Sequence, residues 1–354
     1  MTEKKPNLID TFNPKLIKKG LFYFMAITVI TMIVIFLYTN TGKTLEVWSR
    51  IQAKYIVIAL IIVALDLFLG AYRNHIFVKE FKPGTSLKVA TKANLANIFM
   101  GAVTPSQSGG GLAQFYIFYK NGIKLPDAIT ISFINWISTL LFFPISGAIA
   151  YQIIKDKIPE GFISYLAQFG FSVFTTLFIV VMVALIFPQA IGWLILKLSK
   201  IVGSISAKWT EKLSVFGEKA KTSMIDYRNK CTKLLSSKPQ LMLYSFVITI
   251  ALYFNKYLLA YFLVLSFGIE ADFWVIISIQ AIVYLLLYFA PSPGGSGIAE
   301  LSITGLMAGI LSDDYLASFT LMQRSFLVFI PALLGAYVVL KEMNKKSLPE
   351  EEDI

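Results

Sequence analysis

One cysteine and one histidine occur in 354 residues, and only 15% of the side chains are charged. Each scarcity excludes something. The single thiol, Cys231, rules out an internal disulfide and is compatible with a reducing cytosol. His75 stands alone, so there is no Cys/His cluster to hold a metal, and neither metal nor cofactor is expected. The acidic residues Glu270, Asp272, Glu300, Asp313 and Asp314 are scattered, without DxD or HxxxD spacing. A transferase acting on lipids needs an acid/base pair or a metal-binding carboxylate cluster, so enzymatic activity is not expected. Soluble domains carry about 25% charged residues. The low charge, with 56% hydrophobic residues and a mean hydropathy of +0.68, marks an integral membrane protein.

What the chain has in quantity is hydrocarbon. A helix needs about 20 apolar residues to cross a bilayer. Runs at 21–38, 55–71, 127–150, 163–187, 240–267 and 315–340 meet that need and predict six full spans. The first run resembles a signal peptide, but Thr39–Asn40–Thr41–Gly42 is a poor cleavage site, so it reads as an uncleaved helix. Two further apolar stretches, 88–121 and 273–311, are each interrupted by a Pro/Gly cluster. The expected fold is therefore an all-α polytopic membrane protein with about six full helices plus two re-entrant hairpins.

Lys and Arg counts set the orientation, because cytoplasmic loops retain positive charge. Lysines at 4, 5, 15, 18 and 19 keep the N-terminal segment 1–20 inside. The stretch 88–121 is basic at both ends (Lys88 and Lys92, then Lys120 and Lys124), so it enters and leaves on the cytoplasmic side. The stretch 273–311 is acidic at both ends (Glu270 and Asp272, then Asp313 and Asp314) and reads as a hairpin from outside. The tail 341–354 returns to the cytoplasm with Lys341, Lys345 and Lys346. The membrane domain thus has a first half, 21–187, and a second half, 240–340.

The connector 188–239 holds ten basic residues against three acidic ones. An apolar residue recurs in it every third or fourth position from Leu194 through Trp209 and Tyr227 to Leu234. That stripe predicts an amphipathic helix. It fits two arrangements: lying on an anionic leaflet, or packing on the protein's own cytoplasmic ends. The net charge of +11 resides mainly in such loops, which points to anionic lipid and away from nucleic acid.

The two interruptions repeat one another. PSQSGGGLAQ (105–114) aligns without a gap to PSPGGSGIAE (291–300). Pro105, Ser106, Gly109, Gly111 and Ala113 match Pro291, Ser292, Gly295, Gly297 and Ala299, while Gln114 faces Glu300. With the opposite orientations, this predicts an inverted repeat of the kind that builds transporters. Proline stops the incoming helix, glycines permit the reversal, and the outgoing arm starts with free N–H groups and a positive dipole end. Two such ends facing one cavity would bind an anion such as a phosphate headgroup. The competing explanation is that both elements are packing kinks that let helices approach closely.

These elements, with an arginine (Arg324) in the last span, resemble the lysylphosphatidylglycerol synthase/flippase transmembrane family. The resemblance runs from about residue 15 to 342. It implies lipid translocation across a bacterial or archaeal cytoplasmic membrane. It implies no synthase activity, since the soluble aminoacyl-transferase domain would have to follow residue 342 and twelve residues do. Many relatives carry a glycine–glutamate pair in the first element, where this chain has Leu112 after Gly111 and then Gln114.

Charged residues at membrane depth are costly and usually functional. Glu300 suits a proton, a cation or a basic headgroup, or it serves as an N-terminal helix carboxylate. Arg324 and Lys256 each suit lipid phosphate or an ion pair, with Glu300 as the partner for Arg324. Asp66 and Arg73, seven apart on one face, read as a local structural pair. His75, Phe115, Tyr116, Phe118 and Tyr119 read as interfacial or lipid-facing. The expected substrate site therefore comprises Pro105, Ser106, Gln107, Gly109, Gly110, Gly111 and Gln114 of the first element. To these it adds Lys256, then Pro291, Ser292, Gly294, Gly295, Gly297 and Glu300 of the second, and Arg324. The expected function is alternating-access translocation of an amphipathic, phosphate-bearing lipid. Rivals are a carrier of an isoprenoid phosphate or small anion, a lipid-modifying transferase, and a scaffold for a separate lipid-synthesising enzyme, alone or as a homo-oligomer.

Overall fold

Apolar runs free of Pro/Gly clusters become single long helices, and the two clustered runs break. The computed structural model describes residues 14–39, 44–155, 236–288 and 290–343, with scattered positions between 165 and 232. By contacts the chain divides into residues 1–171 with 245–354, and residues 172–244. Among the described residues all regular structure is helical. Five helical stretches are long and apolar enough to cross a membrane. They are α1 (Pro14–Thr39), α3 (Ala53–Phe81, after a short α2 at Thr44–Ser49), α6 (Leu125–Ile154), α7 (Pro239–Ser266) and a rod over 313–342. Most of the predicted span 163–187 and of the connector 188–239, Cys231 included, lies outside the described residues.

The spans are apolar on both faces. In α1, Phe24, Thr28, Met32 and Ile35 recur at helical spacing and are buried, while Phe22, Ile30 and Leu37 point outward. A helix apolar all round needs either a protein interior or lipid around it. Helix α3 runs ten residues past the expected end at 71, because Arg73 and Asn74 find hydrogen-bond partners inside the bundle and do not stop the helix.

Each interrupted stretch forms two packed helical arms joined at a tip. The first hairpin is α4 (Leu87–Val103), a 3-10 turn at Pro105–Gln107, and α5 (Ser108–Lys120). The second is α8 (Phe273–Leu287), a 3-10 turn at Pro293–Gly295, and α9 (Ile298–Met307). At 1.5 Å per residue α5 spans about 20 Å and α9 about 15 Å, short of the ≈ 30 Å hydrocarbon core.

Helix α3 shows that the hairpins open at opposite ends. At its C-terminal end, Lys82 donates to the carbonyl of Asn121, which closes the mouth of the first hairpin at 2.9 Å. At its N-terminal end, the N–H of Gln52 donates to the carbonyl of Ser266, at 2.9 Å. Phe267 there packs at a tilt against Tyr315, with centroids 5.3 Å apart, so both flanks of the second hairpin sit at that end. The last helices, α10 (Asp313–Arg324) and α11 (Ile330–Met343), traverse the same distance through a π-turn at Ser325–Phe329. At the far end Glu342 accepts from Lys92 of α4 at 2.9 Å. The two tips pack against each other between the mouths.

The tips do not reverse in the same way. In the second, Gly294, Gly295 and Gly297 have φ of +58°, +68° and +86°. In the first, the left-handed residues are Ser106 (φ +51°) and Gln107 (φ +55°), and Gly109–Gly111 already lie in α5. The expectation that glycines make both turns holds for the second copy alone. In the first copy Gly109 and Gly110 serve close packing: a Cβ on Gly110 would lie 2.9 Å from the carbonyl oxygen of Asn97 in α4.

Candidate functional site

Two polar systems lie inside the bundle. The first is neutral and ties α3, α4, α5, α6 and α7 together. Asn74 Oδ1 accepts from Gln114 Nε2 at 3.0 Å and from Asn135 Nδ2 at 2.8 Å. Gln114 Oε1 accepts from Asn97 at 2.9 Å, and Asn135 Oδ1 accepts from Ser245 at 3.0 Å. In a low-dielectric interior such a network fixes which helix faces meet, because an unpaired member is costly. Gln114 thus holds the first hairpin to α3.

The second system is charged and holds the second tip. Glu300 is fully buried, and its Oε1 accepts from Arg324 Nε at 2.9 Å. Its Oε2 accepts from the backbone N–H of Gly297 at 2.6 Å, so Glu300 caps the start of its own helix. Arg324 also donates to the carbonyl of Gly294 at 3.1 Å and approaches Ser296 Oγ at 3.5 Å. Ser296 in turn bonds Thr28 of α1 at 2.9 Å. The α9 N-terminus, expected to face a ligand, is therefore filled by its own carboxylate. Gln114 and Glu300, equivalent in the repeat, play equivalent parts: each tethers its hairpin to a full span.

Beside the tips lies a cavity of about 240 Å³. Of the expected site residues, Gln107, Lys256, Gly294 and Arg324 line it. Pro105, Ser106 and Pro291 are exposed elsewhere on the tips, and Gly109, Gly110, Gly295 and Glu300 are buried behind its wall. Neither Gly111, Ser292 nor Gly297 lines it. The remaining wall is aromatic and amide: Phe143, Tyr253, Tyr284, Tyr288, Asn97 and Gln323. Phe143 is the hub, with ring centroids 4.8 Å from Tyr253 and 5.5 Å from Tyr288. Tyr253 and Tyr284 meet edge-on at 6.0 Å. The spacings 253/257 and 284/288 place each tyrosine pair on one helix face, a signal that composition alone obscures.

Pro331 helps shape this wall. It has no N–H to offer the preceding turn, and the chain widens into the π-turn, where the Ile330 N–H reaches back to the carbonyl of Ser325. The widened turn carries Leu327 and Val328 into the cavity lining. Such bulges often mark functional sites.

Three sequence readings are corrected. Asp66 pairs with Lys256 of α7 rather than with Arg73: the Lys256 Nζ lies 2.6 Å from Oδ1 and 2.7 Å from Oδ2. Arg73 donates to Thr139 at 3.2 Å and Thr249 at 3.1 Å. The seven-residue spacing puts Asp66 and Arg73 about two turns apart, and each finds a nearer partner across the bundle. His75 is buried, not interfacial, since α3 is packed along that face. Tyr116 and Phe118 are core residues, because the hairpin arm α5 is enclosed by α4 and α6. Among the described residues no three His, Cys, Asp or Glu side chains gather to hold a metal.

The family model for the lysylphosphatidylglycerol synthase TM region matches residues 23–335. A UPF0104 membrane protein of Pyrococcus horikoshii is 24% identical over 351 residues, covering 92% of this chain and 98% of its own length. A UPF0104 membrane protein of Archaeoglobus fulgidus is 23% identical over 341 residues, covering 94% and 99%. The match spans both hairpins, both tethers and the cavity between them, and the chain belongs to the lysylphosphatidylglycerol synthase transmembrane-region family.

Proposed function

We propose that the protein is a lipid translocase that moves an amphipathic, phosphate-bearing lipid between leaflets by alternating access around the two tips. One observation carries this reading: two oppositely opening hairpins meet tip to tip beside a cavity whose wall holds Lys256 and Arg324. Broken backbone at membrane depth is tolerated where it is buried in protein or lines a watery cavity. A headgroup crossing the bilayer needs such a polar station, and a pair of gates opening from opposite ends supplies one that is never open to both sides. The family supports a role in lipid metabolism or transport. The basic cluster at the first mouth (Lys82, Lys88, Lys92, Lys120, Lys124, Lys341) supports a cytoplasmic orientation for that end and for both termini in this reading.

The test is reconstitution of the purified chain into liposomes carrying fluorescent phospholipids with different headgroups, with leaflet exchange read by a membrane-impermeant quencher. Exchange faster than in protein-free vesicles for at least one anionic headgroup is the expected result. No acceleration for any headgroup would sink the reading.

A further inference from the structure

The two cations in the cavity wall are held very differently. Arg324 directs its Nε to Glu300 and its Nη2 to the carbonyl of Gly294 and the hydroxyl of Ser296. It is built into the second tip. Lys256 has three N–H donors, and among the described residues Asp66 is its sole hydrogen-bond and ion-pair partner. Its side chain is 17% exposed and reaches the cavity, whereas Asp66 is 5% exposed and sits behind it, away from the lining. Asp66 in turn has no other hydrogen-bond donor among the described residues. Tyr253 from α7 and Tyr284 from α8 lie within electrostatic reach of it, as does Arg73 along its own helix, engaged with Thr139 and Thr249.

Lys256 and Arg324 both line the cavity, and Lys256 is the cation held by a single carboxylate, so a phosphoanion entering there can bond its free ammonium donors. The anion then competes with Asp66 for one ammonium group. The displaced carboxylate is left in a low-dielectric site without a partner, and such a group neutralises by taking a proton rather than staying charged. From these contacts we infer that Asp66 is a proton-binding site coupled to occupancy of the cavity, so that each bound phosphoanion brings one proton with it. The inference rests on the translocase reading for its ligand. The balance is simple: Asp66 as carboxylate with Lys256 as ammonium, plus a singly charged phosphodiester and one proton from water, becomes neutral Asp66 with a Lys256–phosphodiester pair. No covalent bond other than the carboxyl O–H forms. The site keeps its net charge, and the headgroup crosses with its charge compensated.

The sign follows from linkage. Binding takes up a proton, so affinity rises as pH falls, by about tenfold per pH unit for a one-proton exchange. Calorimetry of the full chain in detergent, titrated with dihexanoyl-phosphatidylglycerol in two buffers of different ionisation enthalpy, counts that proton. The expected result is about one proton taken up per ligand bound. The Asp66→Asn variant should take up none and bind with a pH-independent affinity. Lys256→Gln should weaken binding and abolish proton uptake together. Binding by the unaltered protein without proton uptake overturns the inference and leaves translocation standing; it needs no variant that folds. Proton uptake retained in Asp66→Asn overturns it as well. No binding of the short-chain lipid overturns both this inference and the translocase reading when leaflet exchange is also absent. Inorganic phosphate forms a separate arm. Tighter binding of the lipid supports a headgroup as the ligand, and equal binding overturns lipid as its source.

Discussion

Arg324 Nε and Glu300 Oε1 lie 2.9 Å apart, and the pair links the last helix to the backbone of the second tip. Both side chains are almost completely excluded from solvent. The pair behaves as a brace, since Glu300 joins Arg324 to the Gly297 N–H and the other hydrogen bonds of Arg324 go to Gly294 and Ser296 of the tip.

Removing one member therefore leaves a buried charge. Glu300→Ala should cost about 3–5 kcal/mol and lower the melting temperature sharply in detergent. The double variant Glu300→Leu with Arg324→Met should recover most of that loss, because two apolar side chains need no partner. Thermal unfolding followed by fluorescence measures both. A single variant as stable as the parent would refute the brace.

The opposed hairpins make a topological prediction. In a Cys231→Ser background, cysteines at Lys124 and Glu270, both exposed beside opposite mouths, should react with impermeant thiol reagents from opposite faces of the membrane. Labelling of both from one face would contradict the arrangement.

Close packing predicts a graded pair of glycine variants. A Cβ on Gly335 would collide with the carbonyl oxygen of Leu95, where α11 crosses α4. Gly335→Ala should destabilise by about 1–3 kcal/mol, the usual range for overpacking. Gly309 has nothing within 4 Å of its added Cβ, and Gly309→Ala should leave the melting temperature unchanged within error. Equal effects at the two positions would remove the packing argument.

The first tip stores strain at Ser106, which is exposed and sits at φ +51°. Left-handed backbone at a non-glycine residue costs on the order of 1–3 kcal/mol. Ser106→Gly should raise the melting temperature, and Gly294→Ser, which puts a Cβ 2.7 Å from a ring carbon of Phe24, should lower it. A lowered melting temperature in Ser106→Gly would show that the conformation is not strained.

Much of the fold was legible because its signals are local. Hydrophobic run length marked α1, α6, α7 and the last rod, and the Pro/Gly clusters marked both breaks within a few residues. Matching PSQSGGGLAQ to PSPGGSGIAE also found the repeat, and Glu300 with Arg324 was open as a pair before any contact was seen. The partner of Asp66 was not legible. Asp66 and Lys256 are 190 residues apart in the chain, while Arg73 is near in sequence and on the same helix face. The tyrosine wall was hidden for a related reason: in a sequence with 17 tyrosines, only packing separates lining residues from lipid-facing ones.

The sequence by itself determined that this chain lives in a membrane, where its helices break and that the breaks come as a pair. Those properties follow from transfer of side chains out of water and from backbone chemistry at proline and glycine, which act within a few residues. Tertiary structure decided which polar groups meet. It gave Arg324 to the tip, left Lys256 on the cavity, and used the glycines of PSQSGGGLAQ for packing while Ser106 and Gln107 made the turn. Buried charges and amides satisfy one another across helices, and which helix faces meet is set by the packed bundle as a whole.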